Sequence, residues 1–167
     1  MVDIRPATEA DLAAVNDIYN ALIPTTTIAW TERLVTMDER REWFAARRER
    51  DDAVYVADDA GEVVGFVSYG PFRDERRWEG YRFTVEHTVH VAERAWGRGI
   101  GRALVDAEVA HARRAGKHVI VAGVDAESVH SIRFHESCGF VETARMPEVG
   151  FKLGRRLDLV LLQRFVG

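Results

Sequence analysis

The sequence predicts an α/β fold, a mixed sheet with helices packed on it, and three observations carry that prediction. Strand-like and helix-like segments alternate along all 167 residues, in the order β-α-α-β-β-β-α-β-α-β-β. No internal repeat, low-complexity linker or change of composition divides them, so residues 1–167 are expected to form one domain. A β-branched run at 84–91 leads into a glycine-rich helix start at 97–101.

The elements follow in order. Residues 2–5 read as a short strand. Thr8 caps a helix to about Leu22, with Leu12, Val15, Ile18, Tyr19 and Leu22 on one face. Pro24 and the three threonines at 25–27 break it, and 28–30 is briefly extended. A second helix starts after Thr36, where Glu39 completes a capping box, and runs to about Arg50 over Trp43 and Phe44. Strands at 53–57 and 62–69 are joined by the hairpin turn Asp58-Asp59-Ala60-Gly61. Residues 70–80 form a polar, arginine-rich surface loop, and 82–91 a long strand.

The helix at 99–115 points Ile100, Ala103, Leu104, Ala107 and Ala110 inward and closes on Gly116. An apolar strand at 118–124 precedes a short helix at 128–138 that stops at Gly139. A strand at 140–144, a loop at 147–154 and a strand at 156–165 complete the chain. Trp30 and Trp43 are assigned to the core.

Composition excludes several classes. Hydrophobic residues at 47% and charged residues at 30% are ordinary globular values, and the length suffices for a real core. The net charge of -4 gives no global attraction to nucleic acid or an anionic membrane. No run is long enough to span a bilayer, and the opening residues lack the apolar core of a signal peptide, so a cytoplasmic protein is expected. Cys138, the single cysteine, has no disulfide partner and no obvious base, and reads as a small buried apolar residue. His87 and His90, three apart on a strand, face opposite sides. With no His-Glu-x-x-His or Cys-x-x-Cys motif, no metal site is expected.

The glycines at 97, 99 and 101 carry the chemistry. Amide groups at a helix N-terminus form an anion site, most naturally for phosphate. No Gly-Lys-Ser/Thr follows, which excludes a P-loop, and Arg102 occupies the third glycine position of a dinucleotide fingerprint. Glycine within a helix costs about 1 kcal/mol relative to alanine, which favours close approach of a ligand. Glu86, set in an apolar strand, is costly to bury without purpose and reads as a general base beside a pyrophosphate cradle. Residue chemistry alone leaves other roles open: Glu86 paired with Arg82, His135 packing its helix, and the arginines of 70–82 as solvated charge.

The strand, the Gly-x-Gly-x-Gly turn and the segment Phe134-His135-Glu136-Ser137-Cys138-Gly139-Phe140 resemble the GNAT acetyltransferase superfamily. Three further stretches resemble its phosphinothricin and methionine sulfone/sulfoximine acetyltransferase group: Tyr81-Arg82-Phe83-Thr84-Val85-Glu86-His87-Thr88-Val89, residues 116–123 and residues 146–159. The likeness extends to residues 4–7 and 18–20, nearly the whole chain. It implies the GNAT acyl-CoA N-acyltransferase fold, with a mostly antiparallel sheet and helices on both faces.

The resemblance also implies a site. Acetyl-CoA would be the co-substrate, without a metal, its pyrophosphate on the main chain of Gly97, Arg98, Gly99, Ile100, Gly101 and Arg102. The pantetheine arm would lie along Val89, His90 and Val91 like an added strand, with Ser128 in place of the relatives' asparagine. Trp96, where relatives carry Gln or Arg, would lie near the adenine. Glu86 would take the proton of an amino-acid α-amine and His135 would serve the leaving thiolate, in a direct transfer without an acyl-enzyme. Arg73 would hold the acceptor's carboxylate through paired hydrogen bonds, with Glu79, Gly80, Tyr81 and Glu86 around it. A homodimer is expected, with 146–156 near the partner's acceptor site. The alternative acceptors are a polyamine, an aminoglycoside or a protein N-terminus. A non-catalytic acyl-CoA sensor would keep the glycine turn and lose Glu86.

Overall fold

The computed structural model describes residues 2–167. Seven strands form one sheet: β1 (Val2–Pro6), β2 (Val54–Asp59), β3 (Glu62–Pro71), β4 (Thr84–Val91), β5 (Val119–Asp125), β6 (Val141–Lys152) and β7 (Arg155–Phe165). Four α-helices join them: α1 (Leu12–Leu22), α2 (Met37–Glu49), α3 (Ile100–Arg114) and α4 (Val129–Ser137). The element order matches the one read from the sequence. Spatial order is β1-β2-β3-β4-β5-β7-β6, and every neighbouring pair is antiparallel except β4–β5.

Strand alternation divides the apolar side chains between two faces. On one, Val54, Val56 and Phe66 meet Leu12, Val15 and Phe44 of α1 and α2. On the other, Val67, Tyr69, Val85 and Ile120 meet Leu104, Val105, Val109 and Ile132 of α3 and α4. The capping box forms as expected: the Thr36 hydroxyl accepts from the Glu39 amide at 3.3 Å, and the Glu39 carboxylate accepts from the Thr36 amide at 2.9 Å. Arg5 ties β1 to the start of α1 through two parallel 2.8 Å bonds to Asp11, which hold that carboxyl at about 2.

One feature of the sheet positions everything that follows. The parallel pair β4–β5 has only three rungs, Thr84–Val119, Val85–Ile120 and Glu86–Val121. Beyond Glu86, β4 continues beside β3 to Val91, while β5 continues beside β7 to Asp125. The two strands part, and a wedge opens in the middle of the sheet.

Three local expectations are corrected. Residues 147–152, expected as loop, extend β6 alongside β7. A bulge between Met146 and Gly150, with Glu148 at φ 55°, and mostly exposed side chains remove the two-residue alternation that would have revealed a strand. Residues 28–30 form bends rather than a strand. On α3, Ala103 and Ala110 face solvent, and the buried stripe is Ile100, Leu104, Val105, Glu108, Val109 and Ala112. The wide side chains of Val105 and Val109 fill the space over Tyr69 and Val85 that two alanines would leave empty.

Leu104 is fully buried between α3 and the sheet. Leu104→Ala is expected to lower unfolding free energy by about 2–5 kcal/mol in urea titrations.

Candidate active site

A cavity of about 380 Å³ fills the wedge. Glu86, Thr88, Val89 and His90 line it from β4, Gly123 and Asp125 from β5, and Ser128, Ser131 and His135 from the α4 side. Tyr19 of α1 and the segment Ile28, Ala29, Trp30 form its remaining wall.

Main-chain parity shows which groups of β4 face the wedge. The Thr84 carbonyl accepts from Phe72 and the Ala92 amide donates to Val64, so the even-numbered residues between them direct their main chain to β3. Val89 and Val91 therefore turn their N–H and C=O toward the gap. His90 directs its main chain to β3, although it too lines the cavity. Its ring packs against Tyr19 and Phe66, and burial lowers its pKa to about 4, with His87 and Arg40 adding to the effect. The Val91 carbonyl already accepts a 2.7 Å bond from the Trp96 indole, which stacks on His130 of α4.

At the head of α3, Gly97 and Gly99 take φ 74° and 77°, the left-handed region that glycine enters without strain, and a Cβ at either would meet no atom within 4 Å. Gly99 is the N-cap of α3 and supplies no side-chain cap, so the first-turn amides point outward. Gly101 differs: a Cβ there would lie 3.0 Å from the Phe134 ring, so its smallness serves the packing of α3 on α4. The guanidinium groups of Arg98 and Arg102 are tied to Asp59 and the Ser137 carbonyl, leaving the anion site to the backbone. Ser128, the N-cap of α4, makes no side-chain cap bond and lines the cavity.

Glu86 stands where the strands part. One carboxylate oxygen lies 3.7 Å from where a Cβ on Gly123 would sit, so the absence of a side chain at 123 leaves its space open. Glu86 opens onto the cavity, yet the surrounding walls remove enough water to raise its pKa, while Arg73 and His87 pull the other way. Arg82 is not its partner. That guanidinium bonds the Glu79 carbonyl and covers Phe83. Arg73 is exposed, close enough to act on Glu86, and lies over Phe72. Glu79, Gly80 and Tyr81 form an exposed 3₁₀ turn braced by the Phe72–Tyr81 contact, and they do not line the cavity of a single chain.

His135 is brought to the cavity but with both ring nitrogens engaged. Its Nδ1–H donates to the Ser131 carbonyl at 2.7 Å, and Nε2 lies 3.0 Å from His87 Nε2. Burial, with His87 contributing, lowers its pKa to about 4. In this arrangement the neutral ring has no free N–H. His87 itself turns to the opposite side of β4 from His90, as the spacing predicts, and its Nδ1 lies 2.9 Å from Glu108 of α3.

Sequence reasoning missed the wall formed by residues 28–30. Trp30, assigned to the core, is half-buried and faces the cavity. Three anchors hold its segment: Thr27 on Asp125 of β5, the Ala29 carbonyl on the buried Lys152 ammonium, and the Trp30 ring on Gly150, where any Cβ would collide with it. These contacts join residues about 100 apart and leave no local pattern. Glu108 did leave one, because the spacing Leu104, Glu108, Ala112 places it on the buried stripe.

Comparison with known proteins agrees with this architecture. Residues 15–140 match the model of the acetyltransferase (GNAT) family, and the chain belongs to that family. It is 44% identical to an L-methionine sulfoximine/L-methionine sulfone acetyltransferase of Salmonella typhimurium, across 96% of this chain and 92% of the relative. It is 34% identical to a phosphinothricin N-acetyltransferase of Streptomyces coelicolor, across 98% and 95%. The solved structure of yncA, an acetyltransferase from Salmonella typhimurium with its cofactor acetyl-CoA, superposes with a TM-score of 0.94 at 42% identity, covering 99% of this chain and 94% of that one. The fold and the group named from the sequence are both borne out.

The buried histidines set an acid limit to stability. His135, neutral in the fold to about pH 4, protonates near 6.5 when unfolded. The unfolded chain therefore binds more protons between those values, and stability falls as pH drops through the window. Denaturant titrations from pH 7 to pH 4 should show a loss of about 3 kcal/mol from His135, which His135→Phe should largely remove.

Proposed function

We propose that this protein transfers the acetyl group of acetyl-CoA directly to the α-amine of a small amino acid of the methionine sulfone, methionine sulfoximine or phosphinothricin type. The observation that carries this reading is the position of Glu86, at the point where β4 and β5 part and beside the free main chain of Val89. The names of the relatives support the acceptor class, and the coenzyme in the similar structure supports the donor.

The chemistry follows from the geometry. Amides from Gly97 to Arg102 hold the diphosphate at the positive end of α3. The pantetheine arm occupies the wedge as a strand would, using the Val89 main chain and the Ser128 hydroxyl. The Val89 N–H faces the thioester carbonyl and stabilises the oxyanion of the tetrahedral intermediate. An α-ammonium is largely protonated at neutral pH, and a carboxylate raised by burial is better matched to take its proton than an exposed one. Glu86 accepts that proton, directly or through a water, and the neutral amine attacks. The thiolate leaves and is protonated from solvent, since His135 offers no free N–H. Arg73 pairs with the acceptor's carboxylate, and Tyr19 and Trp30 wall its side chain.

Residues 1–167 act in this reading as one cytoplasmic catalytic domain working as a homodimer. Support for the dimer comes from Met146, Val149 and Phe151, apolar and exposed on the edge strand β6, which would bring Glu79–Tyr81 or the 146–156 hairpin to a neighbouring site.

A thiol-release assay over methionine sulfone, methionine sulfoximine, phosphinothricin, ordinary amino acids and polyamines tests the acceptor class, and turnover of polyamines alone would contradict it. Glu86→Gln should bind acetyl-CoA normally and lose about 100-fold or more in kcat near neutral pH, recovering partly in alkali as the amine deprotonates unaided. Unchanged turnover would remove Glu86 from the reaction.

A further inference from the structure

A chain of buried polar groups runs from α3 to the wall of the wedge, where His87 and His135 line the cavity, and the proposed reaction uses none of them. Glu108 is fully buried on α3, with Oε2 2.9 Å from His87 Nδ1 and no hydrogen-bond partner for Oε1 among the described residues. His87, 6% exposed, lies flat on Phe140 and presents Nε2 to His135 Nε2 at 3.0 Å. His135 ends the chain on the Ser131 carbonyl.

Counting protons along this chain fixes its wiring. A carbonyl only accepts, so His135 Nδ1 carries a hydrogen. Burial favours a neutral His135, whose Nε2 then carries a lone pair, and the 3.0 Å contact is made by His87 donating from its own Nε2. At its other end, His87 Nδ1 and Glu108 Oε2 share one further proton, either as imidazolium with carboxylate or as imidazole with carboxylic acid. The pair is neutral as a unit in both forms, which is what burial at this depth demands. Without that shared proton, either a carboxylate would face the Nδ1 lone pair or the two Nε2 lone pairs would face each other.

The position of the chain gives it consequence. Backbone pairing between β4 and β5 ends at Glu86–Val121. The next residue of β4 is His87, and its bond to His135 links β4 to the helix that follows β5, across the gap where the ladder has stopped. We propose that His87 is a positioning residue for acetyl transfer: set by Glu108, it holds His135 and fixes the width of the wedge at the level of Glu86. The other titratable groups around it are otherwise engaged. Tyr69, opposite His87 on β3, bonds His111 at 2.7 Å, and Glu86 and His90 point to the far face of β4.

This inference rests on the acetyl-transfer reading, and its test separates the two. In ¹⁵N-labelled wild-type protein at neutral pH, NMR should show His135 as the Nδ1–H form and His87 with hydrogen on Nε2, both exchange-protected. An Nε2–H form of His135 would overturn the wiring whatever the enzyme's substrate. With methionine sulfone as acceptor, Glu108→Gln should retain kcat within about threefold, because its amide donates to His87 Nδ1 and preserves the same tautomer. Glu108→Leu and His87→Phe should bind acetyl-CoA with little change and lose about tenfold or more in kcat. Wild-type transfer with undiminished kcat in a folded Glu108→Leu would overturn the positioning role while leaving the proposed function intact. Absence of transfer in the wild type would instead overturn the proposed function.

Discussion

The early end of the β4–β5 ladder is the constraint on which the rest of the molecule depends. A parallel pair that stopped nowhere would leave a closed sheet with no interior main chain to offer. By pairing for three rungs and then parting, the strands expose N–H and C=O groups of Val89 and Val91 inside the protein, where unpaired groups are costly. The protein compensates at one of them through the Trp96 indole on the Val91 carbonyl. In the proposed function the coenzyme's amides compensate at others, so the energy of completing an interrupted sheet becomes binding energy for the donor.

The same interruption explains why the polar residues cluster as they do. Glu86 sits at the last rung, between a polar cavity and an apolar sheet, and both its raised pKa and its opening onto the cavity follow from that border position. His87 and His90, on opposite faces of the strand, meet different surroundings. One joins a buried hydrogen-bonded chain to α3 and α4, and the other is packed neutral against α1. A three-residue spacing in a strand thus separates two histidines that a helix would have placed together.

Much of this was legible in the sequence because the signals are local. The Thr36–Glu39 capping box and the Asp58–Gly61 turn are each written within a few residues, and each forms as read. The candidate carboxylate, Glu86, lines the wedge. What sequence reasoning missed depends on pairing or on distant contacts. Main-chain parity, which turns Val89 toward the wedge and His90 toward β3, follows from the register of β3 against β4. The orientation of His135 follows from His87, 48 residues away. Trp30 reaches the cavity only because Thr27, Ala29 and Gly150 find partners across the fold. β6 was obscured for a different reason, since a bulged edge strand exposed along most of its length has no alternation to display.

A crystal structure with acetyl-CoA bound tests most directly whether the coenzyme completes the interrupted sheet. The diphosphate is expected against the amides of 97–102, the arm hydrogen-bonded to the Val89 main chain, and the thioester carbon within reach of an amine held by Glu86. Density for the ligand outside the wedge, or a thioester remote from residue 86, would contradict this expectation.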